Sequence, residues 1–227
     1  MWMKTEIGPN TDRWLHAIKG TMYRRYTKRI LDFLVSLCAL VLMSPLFVAL
    51  TILGWIQMKG NPFFIQDRPG KNGELFRLIK FRTMTNEKDS QGNLLPADER
   101  LVPYGRFLRS TSLDELPELV NVLMGQMSIV GPRPLLVKYL PLYNEHQRRR
   151  HEVKPGLTGY AQVRGRNAVT WEERFDMDVW YVDHMTLAED VKIVCATIKV
   201  VLSRQGITTS DAGDTFMNEF AGTKGGN

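Results

Sequence analysis

Two adjacent carboxylates, Asp114 and Glu115, lie between two arginines, Arg109 and Arg133, in a stretch whose residue types suit phosphate chemistry. A positioned, ionised aspartate can act as a nucleophile, and arginine offers a planar fork of donors to phosphate oxygens. Asp114 and Glu115 stand about 100° apart around a helix axis, so one can face a substrate while the other holds a metal ion beside it. Two carboxylates repel a phosphate unless cations offset their charge, so the pattern asks for magnesium as well as the arginines. Acids are also common in first helical turns because they stabilise them, so the pair by itself equally reads as capping.

These side chains need a rigid frame. Ser112 followed by Glu115 is a capping-box signature; it predicts that Ser112 caps a helix and that Asp114 sits in the first turn, at the positive end of the dipole. Arg109 then precedes the helix, and Arg133 is presented from the Gly131-Pro132-Arg133-Pro134 turn, whose prolines fix the backbone. Residues 61–66 and 75–82 read as the strands of a small hairpin turning through Pro69 to Gly73. Its Arg68, Lys71, Arg77, Lys80 and Arg82 make it basic, with Arg77 facing away from Lys80 and Arg82. That basic surface suits either solvent beside anionic lipid or direct substrate binding. Residues 85–103 read as a polar loop, and 134–150 as an amphipathic helix with a solvated or lipid-facing basic end at Arg148, Arg149 and Arg150. The glycine-punctuated loop 155–167 could approach a phosphate or sugar. Residues 171–182 read as a helix with mostly exposed acids, Asp178 among them. Apolar residues at 187, 191, 194, 195, 198, 201 and 202 keep a helical period that predicts core packing, and the polar tail from Gly206 reads as mobile.

Before the hairpin runs a long apolar stretch, Ile30 to Met58, led in by Arg24, Arg25, Lys28 and Arg29; its one acid, Asp32, is spaced to pair with Arg29. As one helix it would cover about 43 Å, more than the roughly 30 Å of a bilayer's hydrocarbon core. Ser44-Pro45 falls near its middle and should bend it. Each half is then too short to span, and a crossing, Pro-kinked helix is the competing reading. Basic flanks put the N-terminal end on the cytosolic side, and a phosphate site served by cytosolic magnesium and nucleotides lies beyond the other end. Both ends on one face require a re-entrant helix. The expected organisation is an interfacial and re-entrant segment over 1–59, a catalytic domain over 60–206 and a polar tail over 207–227.

A chain of 227 residues can bury one sizeable core, and its net charge of +6 suits an anionic partner: nucleic acid, anionic lipid or nucleotide sugar. No zinc-finger, RRM or KH signature supports nucleic acid. The 2 cysteines imply no disulfide framework, and the 4 histidines lack metal-ligand spacing, which argues against a zinc enzyme.

Five motifs then carry a resemblance: Lys80-Phe81-Arg82-Thr83-Met84, Ser112-Leu113-Asp114-Glu115-Leu116-Pro117, Val130-Gly131-Pro132-Arg133-Pro134, Pro155-Gly156-Leu157-Thr158-Gly159 and Asp178-Val179-Trp180-Tyr181-Val182-Asp183. From about Lys28 to about Ile207 the chain resembles the bacterial sugar transferases, in particular the small monotopic polyprenyl-phosphate phosphoglycosyl transferases. The resemblance implies an α+β, mostly helical fold with a re-entrant membrane helix broken at Ser44-Pro45, a small β-hairpin and amphipathic interfacial helices around a cytosolic catalytic domain. It implies that Asp114 takes up a sugar phosphate from a UDP-sugar, releasing UMP, and passes it to undecaprenyl phosphate. Glu115 matches the Mg2+ ligand, Arg109 and Arg133 match phosphate-binding positions, and the sugar of the small members is an N-acetylated hexose. The implied location is the cytosolic face of the bacterial inner membrane. Two rivals of other classes remain at this point: a membrane-tethered basic adaptor and a metal-dependent lipid-phosphate hydrolase.

Overall fold

Proline lacks a backbone donor and its ring crowds the carbonyl four residues back, so one helix cannot run undisturbed through Pro45. In the computed structural model, which describes residues 22–165, 169–203 and 220–222, the apolar run is two helices, α1 (Lys28–Leu42) and α2 (Ser44–Gln57), entered through a π-helical turn over Tyr23–Thr27. The break falls on Met43, and Ser44 Oγ donates to Val41 O at 2.8 Å, the carbonyl that Pro45 leaves without its helical donor. The helix pair bends by 66°, where Ser44-Pro45 was expected to bend it. No single helix among the described residues is long and apolar enough to cross a membrane, while the bent pair together has the length and composition. Leu34, Val41, Leu42, Ile52 and Trp55 all stand exposed along it.

After the apolar pair, β1 (Phe63–Pro69) and β2 (Leu75–Phe81) form an antiparallel hairpin in which Phe63 faces Phe81 and Pro69 faces Leu75. The first strand thus runs to Pro69, beyond the expected Gln66, and the turn is correspondingly tighter. Then come α3 (Pro103–Thr111) and α4 (Glu118–Met124), and a two-stranded parallel pair of β3 (Ser128–Val130) and β4 (Gly156–Thr158). The helices α5 (Trp171–His184) and α6 (Leu187–Ser203) complete a mostly helical α+β arrangement with one small hairpin. The core beneath the hairpin joins Phe47 of α2 to the stacked rings of Phe63 and Phe81, 5.5 Å apart, and to Leu108, Leu116 and Leu119. Asn121 of α4 docks on β2: its side chain donates to Arg77 O at 2.7 Å and accepts from Ile79 N–H at 3.0 Å. That pair of bonds fixes the height of the next residue, Lys80.

Several expectations are corrected. Asp32 does not pair with Arg29. Buried Asp32 accepts from Ile129 N–H at 3.0 Å, and Arg29 donates to Val122 O and Leu123 O at 2.7 and 2.8 Å, capping the carbonyl end of α4. Residues 85–103 are not a structureless loop: bridges join Met84 to Leu101 and Lys88 to Leu94, and Ala97–Arg100 makes a helical turn. No single helix covers 134–150. Pro141 and the extended Tyr143 divide it into 3-10 turns and a short helix over Glu145–Arg148. Arg150 is neither solvated nor lipid-facing, and Asp178 is not on an exposed face: the two form a pair with both side chains buried. In α6 the apolar stripe faces outward. Leu187, Val191, Cys195 and Ile198 are exposed while Ile193 is buried, because a helical period separates two faces without saying which one meets the core. Residues 1–20 and nearly all of the tail lie outside the described residues, but Phe220 is buried among aromatic rings.

Candidate active site

The site begins where α3 crosses the chain after β2. A side chain at Gly105 would place its Cβ 2.0 Å from Thr83 O, so only glycine lets α3 lie this close. The close approach puts Arg109, in the last turn of α3, beside Thr83, and Arg109 Nε donates to Thr83 Oγ1 at 3.1 Å. Next, Ser112 adopts a left-handed conformation (φ 57°, ψ 18°) and ends α3. It is not the N-cap that its spacing to Glu115 suggested, and its side chain caps nothing. Leu113–Glu115 forms a single 3-10 turn, and α4 starts only after Pro117, whose ring and missing donor suit a helix entrance and not its interior. Asp114 therefore does not sit in the first turn of a long helix, and the macrodipole is not what favours its charge.

Cations shape the charge of the site instead, and they act most strongly on Glu115. Glu115 Oε1 accepts from Arg133 Nη2 at 2.7 Å and from Lys80 Nζ at 3.0 Å. Lys80 also lies 3.1 Å from Glu118 Oε1, an ion contact without hydrogen-bond alignment, and Glu118 is 2 % exposed. Burial pushes Glu115 up, but Arg133 and Lys80 outweigh it and hold its carboxyl at about 2. Asp114 goes the other way: burial and then the charge of Glu115 push it up to about 6, against the pull of Lys80, Arg133 and Arg109. Burial pushes Glu118 up to about 7, with Lys80 opposing and Glu115 adding. Asp114 makes no hydrogen bond or ion pair with any described residue, whereas its neighbour is locked.

Asp114, Glu115, Arg109 and Arg133 thus come together as the sequence suggested. Lys80 and Glu118 were not singled out as site residues, although there was a signal for Lys80: it shares a strand face with buried Phe76 and Leu78, an unusual place for an unpaired lysine. Glu118 carried no such signal, since an acid one residue after a proline looks like ordinary helix-start chemistry. Ser44 and Pro45 form the bend in the apolar pair, and Ser44 Oγ donates to Val41 O, not to these side chains. The donor set fits magnesium: both bonds to Glu115 fall on Oε1, Asp114 is unengaged, and Mg2+ characteristically takes one or two carboxylates with phosphates and waters completing its shell. Among the described residues no three His, Cys, Asp or Glu side chains cluster as an all-protein metal cage.

The sequence signature of the family described as Bacterial sugar transferase matches residues 23–204, which holds every residue of the site. A Bacillus subtilis protein named Uncharacterized sugar transferase EpsL is 53 % identical over 182 residues, covering 79 % of this chain and 89 % of that one. The Undecaprenyl-phosphate galactose phosphotransferase of Salmonella typhimurium is 39 % identical over 80 % of this chain and 42 % of its own length. The UDP-glucose:undecaprenyl-phosphate glucose-1-phosphate transferase of Klebsiella pneumoniae is 39 % identical over 75 % of this chain and 39 % of its own length. This chain therefore corresponds to about two fifths of each of the last two.

Proposed function

We infer that this chain, which belongs to the bacterial sugar transferase family, transfers a sugar 1-phosphate from a UDP-sugar to undecaprenyl phosphate. The observation that carries the reading is the contrast at the site: Asp114 unengaged, Glu115 beside it held by Lys80 and Arg133, and Arg109 adjoining. The names of the Salmonella and Klebsiella relatives support the donor and acceptor classes. They speak of galactose and glucose, and nothing in them favours the N-acetylated hexose that the resemblance suggested.

In this reading a carboxylate oxygen of Asp114 attacks the β-phosphorus of the UDP-sugar. The bond from that phosphorus to the bridging oxygen breaks, UMP leaves with the electron pair, and a sugar phosphate stays on Asp114 as an acyl phosphate. A phosphate oxygen of undecaprenyl phosphate then attacks the same phosphorus and expels the carboxylate, giving the diphosphate-linked lipid sugar and free Asp114. Arg109 and Arg133 hold phosphate oxygens, and Lys80 keeps Glu115 ionised and fixed. Glu115 would hold Mg2+, which supplies positive charge against the diphosphate when bound.

The acceptor phosphate lies at the headgroup level of a bilayer, and the exposed apolar surfaces of the α1–α2 pair and of α6 support docking there as a re-entrant anchor and an interfacial helix. The cytosolic face of a bacterial inner membrane suits a UDP-sugar donor. UMP release, assayed with purified chain, undecaprenyl phosphate and a panel of UDP-sugars, tests the reading. One UMP per lipid-linked product is expected. Release of inorganic phosphate from the lipid without any nucleotide sugar would replace it with a hydrolase.

A further inference from the structure

Phe220 stands at 4 % exposure inside a cage of four other rings. Its ring centroid lies 5.0 Å from Phe175, 5.6 Å from Trp171, 5.7 Å from Tyr139 and 5.8 Å from Tyr143. Two of these rings, Tyr143 and Phe175, also carry the guanidinium of Arg150 on their faces, at 5.9 and 5.8 Å. Arg150 is fully inside the protein at 2 % exposure, and Nε and Nη2 donate to Asp178 Oδ2 at 3.0 and 2.8 Å. One more bond leaves this pair: Arg150 Nη2 donates to the backbone carbonyl of Arg133 at 2.7 Å. Arg133 in turn reaches Glu115.

A buried arginine and aspartate answer each other's charge, but a buried pair of this kind is a weak source of net stability. What it does supply is direction. The fork of Arg150 is held on one side by Asp178 and on its faces by two rings, and Nη2, which also reaches Asp178, grips the carbonyl of the residue whose side chain reaches Glu115. The rings can hold Arg150 still only if they are themselves packed, and Phe220 fills the space between them.

We propose that Phe220 closes an aromatic brace through which Arg150 and Asp178 set the position of Arg133 at the active site, so that Phe220, Arg150 and Asp178 are positioning residues for sugar-phosphate transfer. The proposal rests on the function inferred above for Asp114 and Arg133. Coupling along such a path is a claim about energies, and only a mutant cycle can show it.

The test uses the full chain in lipid nanodiscs. Phe220→Ala is expected to lower kcat/KM for UMP release about tenfold, and Phe220→Tyr to keep most of the activity. In an Arg133→Lys background, where the presented group is already altered, Phe220→Ala should cost less than about twofold. A readout independent of turnover accompanies this: amide hydrogen exchange in Phe220→Ala should rise over Gly131 to Leu135 and stay unchanged in the β1–β2 hairpin. Equal losses in both backgrounds, no loss in the wild-type background, or exchange raised throughout the chain would each overturn the brace and leave Phe220 a packing residue. If the unaltered chain releases no UMP from any UDP-sugar, the functional reading fails, and the exchange pattern alone decides the brace.

Discussion

Two charge clusters in this molecule, one buried and one mostly half-buried, use the same ingredients to different ends. At the foot of α1, Asp190 is saturated: Tyr23 and Tyr181 each donate to it at 2.6 Å, and Lys28 is its ion partner. Tyr181 also reaches Val130 O at 3.1 Å, so this cluster ties the apolar pair to β3 and α6. In the candidate active site, acids outnumber the lysine. Lys80 is shared between Glu115 and Glu118, Arg133 secures Glu115, and Asp114 is left with no partner among the described residues. A buried carboxylate whose oxygens are all engaged holds a fold together; one kept short of partners amid cations is available to a substrate. The apolar pair is also built into the rest of the fold, since Arg29, Asp32 and Lys28 bind α4, β3 and α6 directly.

The comparison breaks most visibly at Asp114. Asp114→Asn should lower the rate of transfer by about 10³-fold or more while leaving the thermal unfolding midpoint within error, because the carboxylate it alters supports nothing structural. Parallel calorimetry and UMP release check both halves of the statement. Asp190→Ala should do the reverse. It strands a buried lysine and two tyrosine hydroxyls, so unfolding stability in detergent should drop by about 3 kcal/mol while turnover per folded molecule persists. Lys80→Met falls between them: it removes the cation shared by two acids, and transfer should fall about 10²-fold with a smaller loss of stability.

The smallest effect concerns His151, which lies beside both themes. Its Nδ1 donates to Gly70 O at 3.1 Å in the hairpin turn, and burial, aided by the charge of Arg150, pushes it down to about 4 from the usual 6.5. Above pH 6.5 the ring is neutral in folded and unfolded chains alike, and it costs nothing. Between 6.5 and about 4 only the unfolded chain takes up the proton, so stability falls with pH across that window and levels off below it. Allowing for its partial exposure, the loss is about 2 kcal/mol, and His151→Gln should flatten that part of a pH–stability curve.

Much of the candidate cluster was legible because the phosphate chemistry proposed for it draws on few residue types. An Asp-Glu pair with flanking arginines and a proline-stiffened turn named Asp114, Glu115, Arg109 and Arg133, and Ser44-Pro45 located the bend. What failed did so for definable reasons. Ser112 and Glu115 match a capping box by spacing alone, but Pro117 stops the helix from starting there, and Ser112 instead closes the helix before it. Lys80 and Arg150 looked like members of basic surfaces because a cation's burial depends on an acid brought from elsewhere, Glu118 in one case and Asp178 in the other. The stripe on α6 followed a core-like period yet faces outward, since periodicity does not distinguish protein interior from another apolar surface. Phe220 sits in a polar tail, and only the rings of α5 and its neighbours give it a destination.

In the proposed reaction Asp114, unengaged among the described residues of the site, becomes covalently loaded. The most direct measurement of this loading is intact-mass and peptide mass spectrometry of the purified chain incubated with its UDP-sugar and Mg2+ but no undecaprenyl phosphate. The expected result is a sugar-phosphate adduct on the peptide containing Asp114, one UMP per adduct, discharge on adding the lipid phosphate, and no adduct in Asp114→Asn. An active chain that carries no adduct under these conditions, or carries it on another residue, would contradict it.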